Sequence, residues 1–234
     1  MASGHGRIDP PGLADTRRWH QVVRKADESG SPGVALMGLA SDEGIRRNSG
    51  RMGAMQGPLA LRKMLANLPV LHASALYDAG DVACEGEALD DAQARYAERA
   101  KALLDAGHFV VGMGGGHEIV YASYSGLASH LANARQRIGI FNFDAHFDLR
   151  EQPRASSGTP FLQAIEDARR LGHDVRYHCL GVSRTSNTPD LFAVADRVDA
   201  RHIQDDALSW TCAELSPPLD IDNATARVAA RLIH

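Results

Sequence analysis

Two apolar runs, residues 109–112 and 138–143, each break off into a knot of residues able to hold a metal. Gly114-Gly115-Gly116-His117-Glu118 follows the first, and Asp144-Ala145-His146-Phe147-Asp148 follows the second. A short apolar run that gives way at once to polar side chains reads as a buried strand reaching the surface. Strands buried on both faces belong to parallel sheets, which need long crossovers between neighbours. The chain has them. Helices are predicted at 13–29, 58–67, 87–106, 118–131, 160–171 and 189–195, and strands at 34–40, 109–112, 137–143 and 175–182. Pro58 suits a first helical turn, while Gly107 and Gly172 stand just past helix ends. Residues 41–57 read as a polar, glycine-punctuated loop. This rhythm is that of an α/β domain, which holds its ligands at the carboxyl ends of the strands.

Asp144, His146 and Asp148 alternate at period two, which sends their side chains to one side while the backbone stays extended. Two carboxylates and an imidazole crowded at a strand end are costly unless something positive compensates. A divalent cation would do so, and Arg150 is the nearest alternative. Oxygen and nitrogen donors without thiolate suit Mn²⁺, Zn²⁺ or Fe²⁺, and the carboxylate-rich balance leans toward Mn²⁺. Fully extended, positions 144 and 148 would lie roughly 13 Å apart, too far to share an ion, so the chain must curl after Asp144. Two ions about 3.5–4 Å apart, bridged by Asp144, would relax that demand. Gly112 and Gly114 also hint at a nucleotide loop, but His117 stands where the third glycine belongs and no Walker lysine follows.

At 234 residues and 44% hydrophobic content the chain is long enough for a sizeable core in one domain. A formal net charge of −4 offers no electrostatic footprint for nucleic acid. No run is long enough to span a bilayer, and residues 1–11 carry Gly and Pro where a signal peptide would be apolar. Cys84, Cys179 and Cys212 are widely spaced and form no C-x-x-C pair, so neither a disulfide framework nor a thiolate site is indicated. The expectation is a reduced, cytoplasmic protein with no membrane or nucleic-acid partner.

These motifs resemble the ureohydrolase family, which includes arginase and agmatinase, over about residues 19–192. Residues 114–118 are similar to the family's first metal motif, and Asn142-Phe143-Asp144-Ala145-His146-Phe147-Asp148 to its second. The stretches at 42–48, 50–54 and 156–161 resemble the formimidoylglutamase branch. The resemblance implies a three-layer αβα sandwich with a mainly parallel central sheet, arginase-like. It implies that His117, Asp144 and Asp148 ligate one Mn²⁺ and that Asp144 with His146 ligates a second. It implies hydrolysis of N-formimidoyl-L-glutamate to L-glutamate and formamide in histidine degradation, with Asp148 as the catalytic carboxylate beside the attacking hydroxide. A homo-oligomer is implied too.

A small-molecule substrate with two carboxylates and a formimidoyl group needs cationic and hydrogen-bonding partners. Arg46, Arg47 and Arg51 are candidates for the carboxylates, and Ser156, Ser157, Thr159 and Asn187 for hydrogen bonds. Each also has an ordinary reading, as a solvated basic loop or as turn chemistry. Where arginases carry a histidine in a His-Gly-x-Pro stretch, this chain has Ser157-Gly158-Thr159-Pro160, so proton shuttling by that histidine does not carry over.

A further Asp-x-Asp pair of the family, at the end of a late strand, has no clear counterpart. Asp220-Ile221-Asp222 has the spacing, but Pro217-Pro218 precede it and a helix predicted at 223–233 follows, whose first turn favours acidic residues. The expectation is therefore one domain over residues 1–234 that lacks the last strand or strands and the C-terminal part of the family pattern. Such a domain would leave a sheet edge exposed. Its metal would bind more weakly, because Asp144 and Asp148 cancel only two of four positive charges.

Overall fold

A computed structural model describes residues 6–10, 12, 15–26, 31–71, 74–132 and 137–205. The chain begins with α1 (Trp19–Val22), β1 (Arg24–Lys25), β2 (Val34–Ala40) and α2 (Glu43–Arg47), then a 3₁₀ turn at Ala54–Gln56 and α3 (Gly57–Leu65). There follow β3 (Leu76–Ala83), α4 (Leu89–Asp105), β4 (Phe109–Met113), α5 (Ile119–His130) and β5 (Arg137–Phe143). The described part closes with α6 (Pro160–Leu171), β6 (Asp174–Val182), α7 (Pro189–Arg197) and β7 (Arg201–Gln204). Asp220, Asp222 and the helix predicted at 223–233 lie outside the described residues.

All strand pairs are parallel, in one sheet of order β1-β3-β2-β4 and another of order β5-β6-β7. β2 is central and buried on both faces, which its unbroken apolar sequence requires. Its side chains alternate between two layers. Leu36 packs with Leu61 and Leu65 of α3, while Met37 and Leu39 pack with Ala92, Tyr96 and Ala100 of α4. Helices thus cover both faces, giving the αβα layering; each fully buried Leu or Met contributes about 1.5–3 kcal/mol. The second sheet packs Tyr177 and Val182 of β6 against Phe161, Leu162 and Ile165 of α6 and Leu191 and Val194 of α7.

Among the described residues β4 and β5 are each paired on one side only, and Phe109, Phe141 and Phe143 on them are largely exposed.

Punctuation predicted from sequence falls where expected at α6: Pro160 opens it, and Gly172 closes it in the left-handed region at φ 73°. Over the described residues 15–26 the helix predicted at 13–29 does not form as one element. Trp19–Val22 makes a single turn, because the Trp19 and His20 N–H groups donate to Leu68 and Ala66 carbonyls, and Arg24–Lys25 then pairs with β3. The loop predicted at 41–57 contains α2 and the 3₁₀ turn.

Candidate metal centre

The cluster forms where the segments after β4 and β5 meet. The Asp144 Oδ1 accepts the His146 N–H at 3.0 Å, a local turn that bends the chain as soon as the strand ends. Asp148 then takes φ 48°, a left-handed conformation that Asp tolerates better than most residues. Together these make the curl that the 144-to-148 spacing demands. His117 Nδ1 lies 2.6 Å from Asp148 Oδ2 and 3.1 Å from Asp144 Oδ2. One ligand atom from each of the three lies within 4.8 Å of the other two. His146 stands on the far side of the same carboxylate, with Nδ1 3.3 Å from Asp144 Oδ1.

Burial alone would push the His117 imidazole down, but its hydrogen bonds to Asp144 and Asp148 outweigh that and hold it up at about 10. Burial likewise opposes ionisation of Asp144, yet His117 and His146 hold its carboxyl well below the usual range. The site therefore stabilises positive charge at its centre. Among the described residues no Arg or Lys pairs with Asp144 or Asp148, and Arg150 forms no ion pair. A set of imidazole nitrogen and carboxylate oxygens fits Mn²⁺ or Zn²⁺. Cys179 is no part of it: its Sγ sits behind the loop, donating to the His146 carbonyl at 3.4 Å, and burial pushes the thiol up to about 12.

The glycine run beside His117 answers to protein backbone. A Cβ on Gly115 would come within 2.0 Å of the Ala54 carbonyl oxygen, and one on Gly57 within 2.7 Å of the Gly114 oxygen. Gly112 faces the Tyr96 hydroxyl and Gly114 faces Ile119, so the spacing that hints at a nucleotide loop is accounted for by close packing. Glu118 is buried, its carboxylate against Gly44 and Gly116.

Most of the other predicted residues are engaged elsewhere. Arg46 and Arg47 both close on the buried Glu43, at 2.6 Å and 2.7 Å. Arg46 hydrogen-bonding first, then Arg47, overcomes burial and holds the Glu43 carboxyl down to about 2. Arg47 also donates to the Ala155 and Glu87 carbonyls, tying the loop after β2 to the segment before α6. Arg51 is exposed and forms no ion pair among the described residues. Ser156 and Thr159 spend their hydroxyls within their own turn, on Gly158 N–H, Gln152, the Ser156 backbone and Gln163. The Ser157 N–H donates to Gly44 O at 3.0 Å. Asn187 reaches the backbone of the metal loop.

Reasoning from sequence missed Glu43, although a glutamate three and four residues before two arginines is a helix-pairing signal. It also missed Asn142 and Tyr177, which support the metal loop from below.

The chain matches the Arginase family over residues 32–212. It is 52% identical to a formimidoylglutamase of Ralstonia nicotianae over 210 residues, covering 87% of this chain and 64% of that protein. A formimidoylglutamase of Nocardia farcinica is 40% identical, covering 98% of this chain and 94% of its own length. Among solved structures, the fold is similar to a Trypanosoma cruzi formiminoglutamase with Mn²⁺, at a TM-score of 0.71 and 22% identity, covering 94% of this chain and 70% of that one. A domain with parallel sheets, helices on both faces and this ligand cluster at the strand ends is an arginase-type α/β fold. The chain belongs to the Arginase family.

The chain spans under two thirds of the length of the Ralstonia relative. The Nocardia alignment runs over 295 positions, more than the 234 residues present here, so the positions without a counterpart lie inside the aligned span. Among the described residues no helix is long and apolar enough to cross a membrane.

Proposed function

We propose that this chain is a metal-dependent hydrolase of the formimidoylglutamase type, converting N-formimidoyl-L-glutamate and water to L-glutamate and formamide, with Mn²⁺ as its ion. The observation that carries this reading is the Asp144 carboxylate, which presents Oδ2 to His117 and Oδ1 to His146. With one oxygen toward each of two imidazoles, Asp144 would help hold one divalent ion together with His117 and Asp148, and another together with His146. Bound divalent ions lower the pKa of water and so furnish a nucleophile at neutral pH. Asp148, hydrogen-bonded to His117 in the curl of the loop, would hold a proton at its carboxylate during the reaction. The Phe161 ring stands edge-on to His117, centroids 5.6 Å apart, and walls one side of the imidazole. With Arg46 and Arg47 committed to Glu43, Arg51, which forms no ion pair among the described residues, is the candidate to take a substrate carboxylate in a bidentate fork. Ser157 remains a hydrogen-bonding candidate on the facing loop.

A second reading is favoured by the internal positions that lack a counterpart here, together with the presence, among the described residues, of two carboxylates in the cluster. On it the chain keeps a metal but does not turn over. Incubating the Mn²⁺-loaded protein with N-formimidoyl-L-glutamate separates the two. Formamide release that a chelator abolishes supports the hydrolase, whereas Mn²⁺ binding with no formamide supports the noncatalytic form.

A further inference from the structure

We infer that Asn187 is a positioning residue for the metal loop, acting with Tyr177 and Asn142, and not a contact for substrate. The inference rests on the reading of residues 117, 144, 146 and 148 as a metal centre. The loop from 145 to 148 is short, curled and carries a left-handed Asp148, and a conformation of that kind persists only where the surroundings over-determine it. Three successive carbonyls of the loop, those of Ala145, His146 and Phe147, face neighbouring elements, and the first two also accept from the Ser183 N–H and the Cys179 Sγ. Each is met by a side chain. Asn187 Nδ2 donates to Ala145 O at 2.7 Å, Asn142 Nδ2 to His146 O at 3.4 Å, and the Tyr177 hydroxyl to Phe147 O at 2.8 Å. Asn187 adds a second grip, because its Oδ1 accepts the Phe147 N–H at 3.1 Å.

The valences of the amide decide between positioning and substrate contact. A primary amide has two N–H donors, and Asn187 uses both, one on Ala145 O and one on Ser183 O at 2.9 Å. Ser183 in turn gives its own N–H to Ala145 O at 2.9 Å, so the segment after β6 and the loop after β5 are stitched together at one point. Asn187 is only 8% exposed. It has no donor left for a substrate carboxylate, and its position beneath the loop sets where Asp144, His146 and Asp148 point.

Outer-shell partners of this kind change metal affinity by about 10–100-fold when removed. Asn187→Ala should therefore shift the Mn²⁺ titration midpoint upward by that factor while leaving KM for N-formimidoyl-L-glutamate unchanged at saturating Mn²⁺. Tyr177→Phe, which keeps the ring stacked on Phe161 and loses only the hydroxyl, is the gentler variant and should shift the midpoint in the same direction by less. Hydrogen exchange on the metal-free proteins gives a readout independent of the ion: both variants should expose the amides of residues 145–148 while β5 stays protected. A raised KM with unchanged Mn²⁺ midpoint would overturn the inference, as would unchanged exchange in the loop. If the unaltered protein bound no Mn²⁺, the metal reading would fail on its own, and the exchange data would still decide the role of Asn187.

Discussion

Two polar loops leave the carboxyl ends of parallel strands, one after β2 and one after β5, and they dispose of their charge in opposite ways. After β2, Glu43 is enclosed by Arg46 and Arg47, groups that do not give up their protons. After β5, Asp144 and Asp148 face imidazoles, which do. The first arrangement already has its carboxylate compensated and serves as a tie between loops. The second stays open to a cation. Density of charged residues along the chain does not tell these apart; the partner of each carboxylate does.

The contrast breaks most severely at Asp144. Asp144→Ala should weaken Mn²⁺ binding by more than about 100-fold, beyond what loss of an outer-shell partner does, and formamide release should fall with it. Isothermal titration measures the affinity, and an unaltered value would place the cation elsewhere.

At Glu43 the expected signature is reversed. Glu43→Ala should leave the Mn²⁺ midpoint nearly unchanged but lower the unfolding free energy by about 2–4 kcal/mol. That is short of the full cost of breaking a buried pair, because Arg46 is half exposed. The same pair sets a pH dependence. The Glu43 carboxyl is held at about 2 against an ordinary 4.5, so its contribution to stability is complete above pH 4.5 and is lost as pH falls through 2. Urea midpoints of the unaltered protein should decline across that window more steeply than those of Glu43→Gln. Parallel curves would mean that Glu43 is not what the acid limb titrates.

The smallest effect is expected where the stretch after β2 meets the glycine run after β4 without charge. Gly115→Ala forces a methyl against the Ala54 carbonyl and should cost about 1–3 kcal/mol by thermal or chemical unfolding. Wild-type stability would show that the turn at Ala54–Gln56 yields easily.

Much of the scaffold can be read from the chain because its signals are local. Strand β5 and helix α6 lie where an apolar run, a proline and a glycine place them. β3 is not legible in this way, since Asp78, Gly80 and Asp81 interrupt it. It stands as a strand because Arg62 of α3 grips Asp78 at 2.9 Å and Asp81 at 2.6 Å, a partnership visible only after folding. The candidate ligands His117, Asp144, His146 and Asp148 are legible for the opposite reason: each comes from one of two unbroken motifs. Their supports are not, because Asn142 and Tyr177 act through the β5-to-β6 register, which sets Asn142 opposite Cys179 and the Tyr177 hydroxyl beneath Phe147. The arginine loop misleads from sequence, since three basic residues near a ligand site look available until Glu43 is seen between two of them.

The main-chain contact between Gly115 and Ala54 has a practical corollary for anyone wishing to alter selectivity by grafting segments from relatives. Backbone against backbone leaves no side chain to retune, so the stretch carrying Arg51 and the stretch carrying His117 have to be transplanted as a pair. A graft of either alone would disturb the ligand geometry before it changed which molecule is admitted.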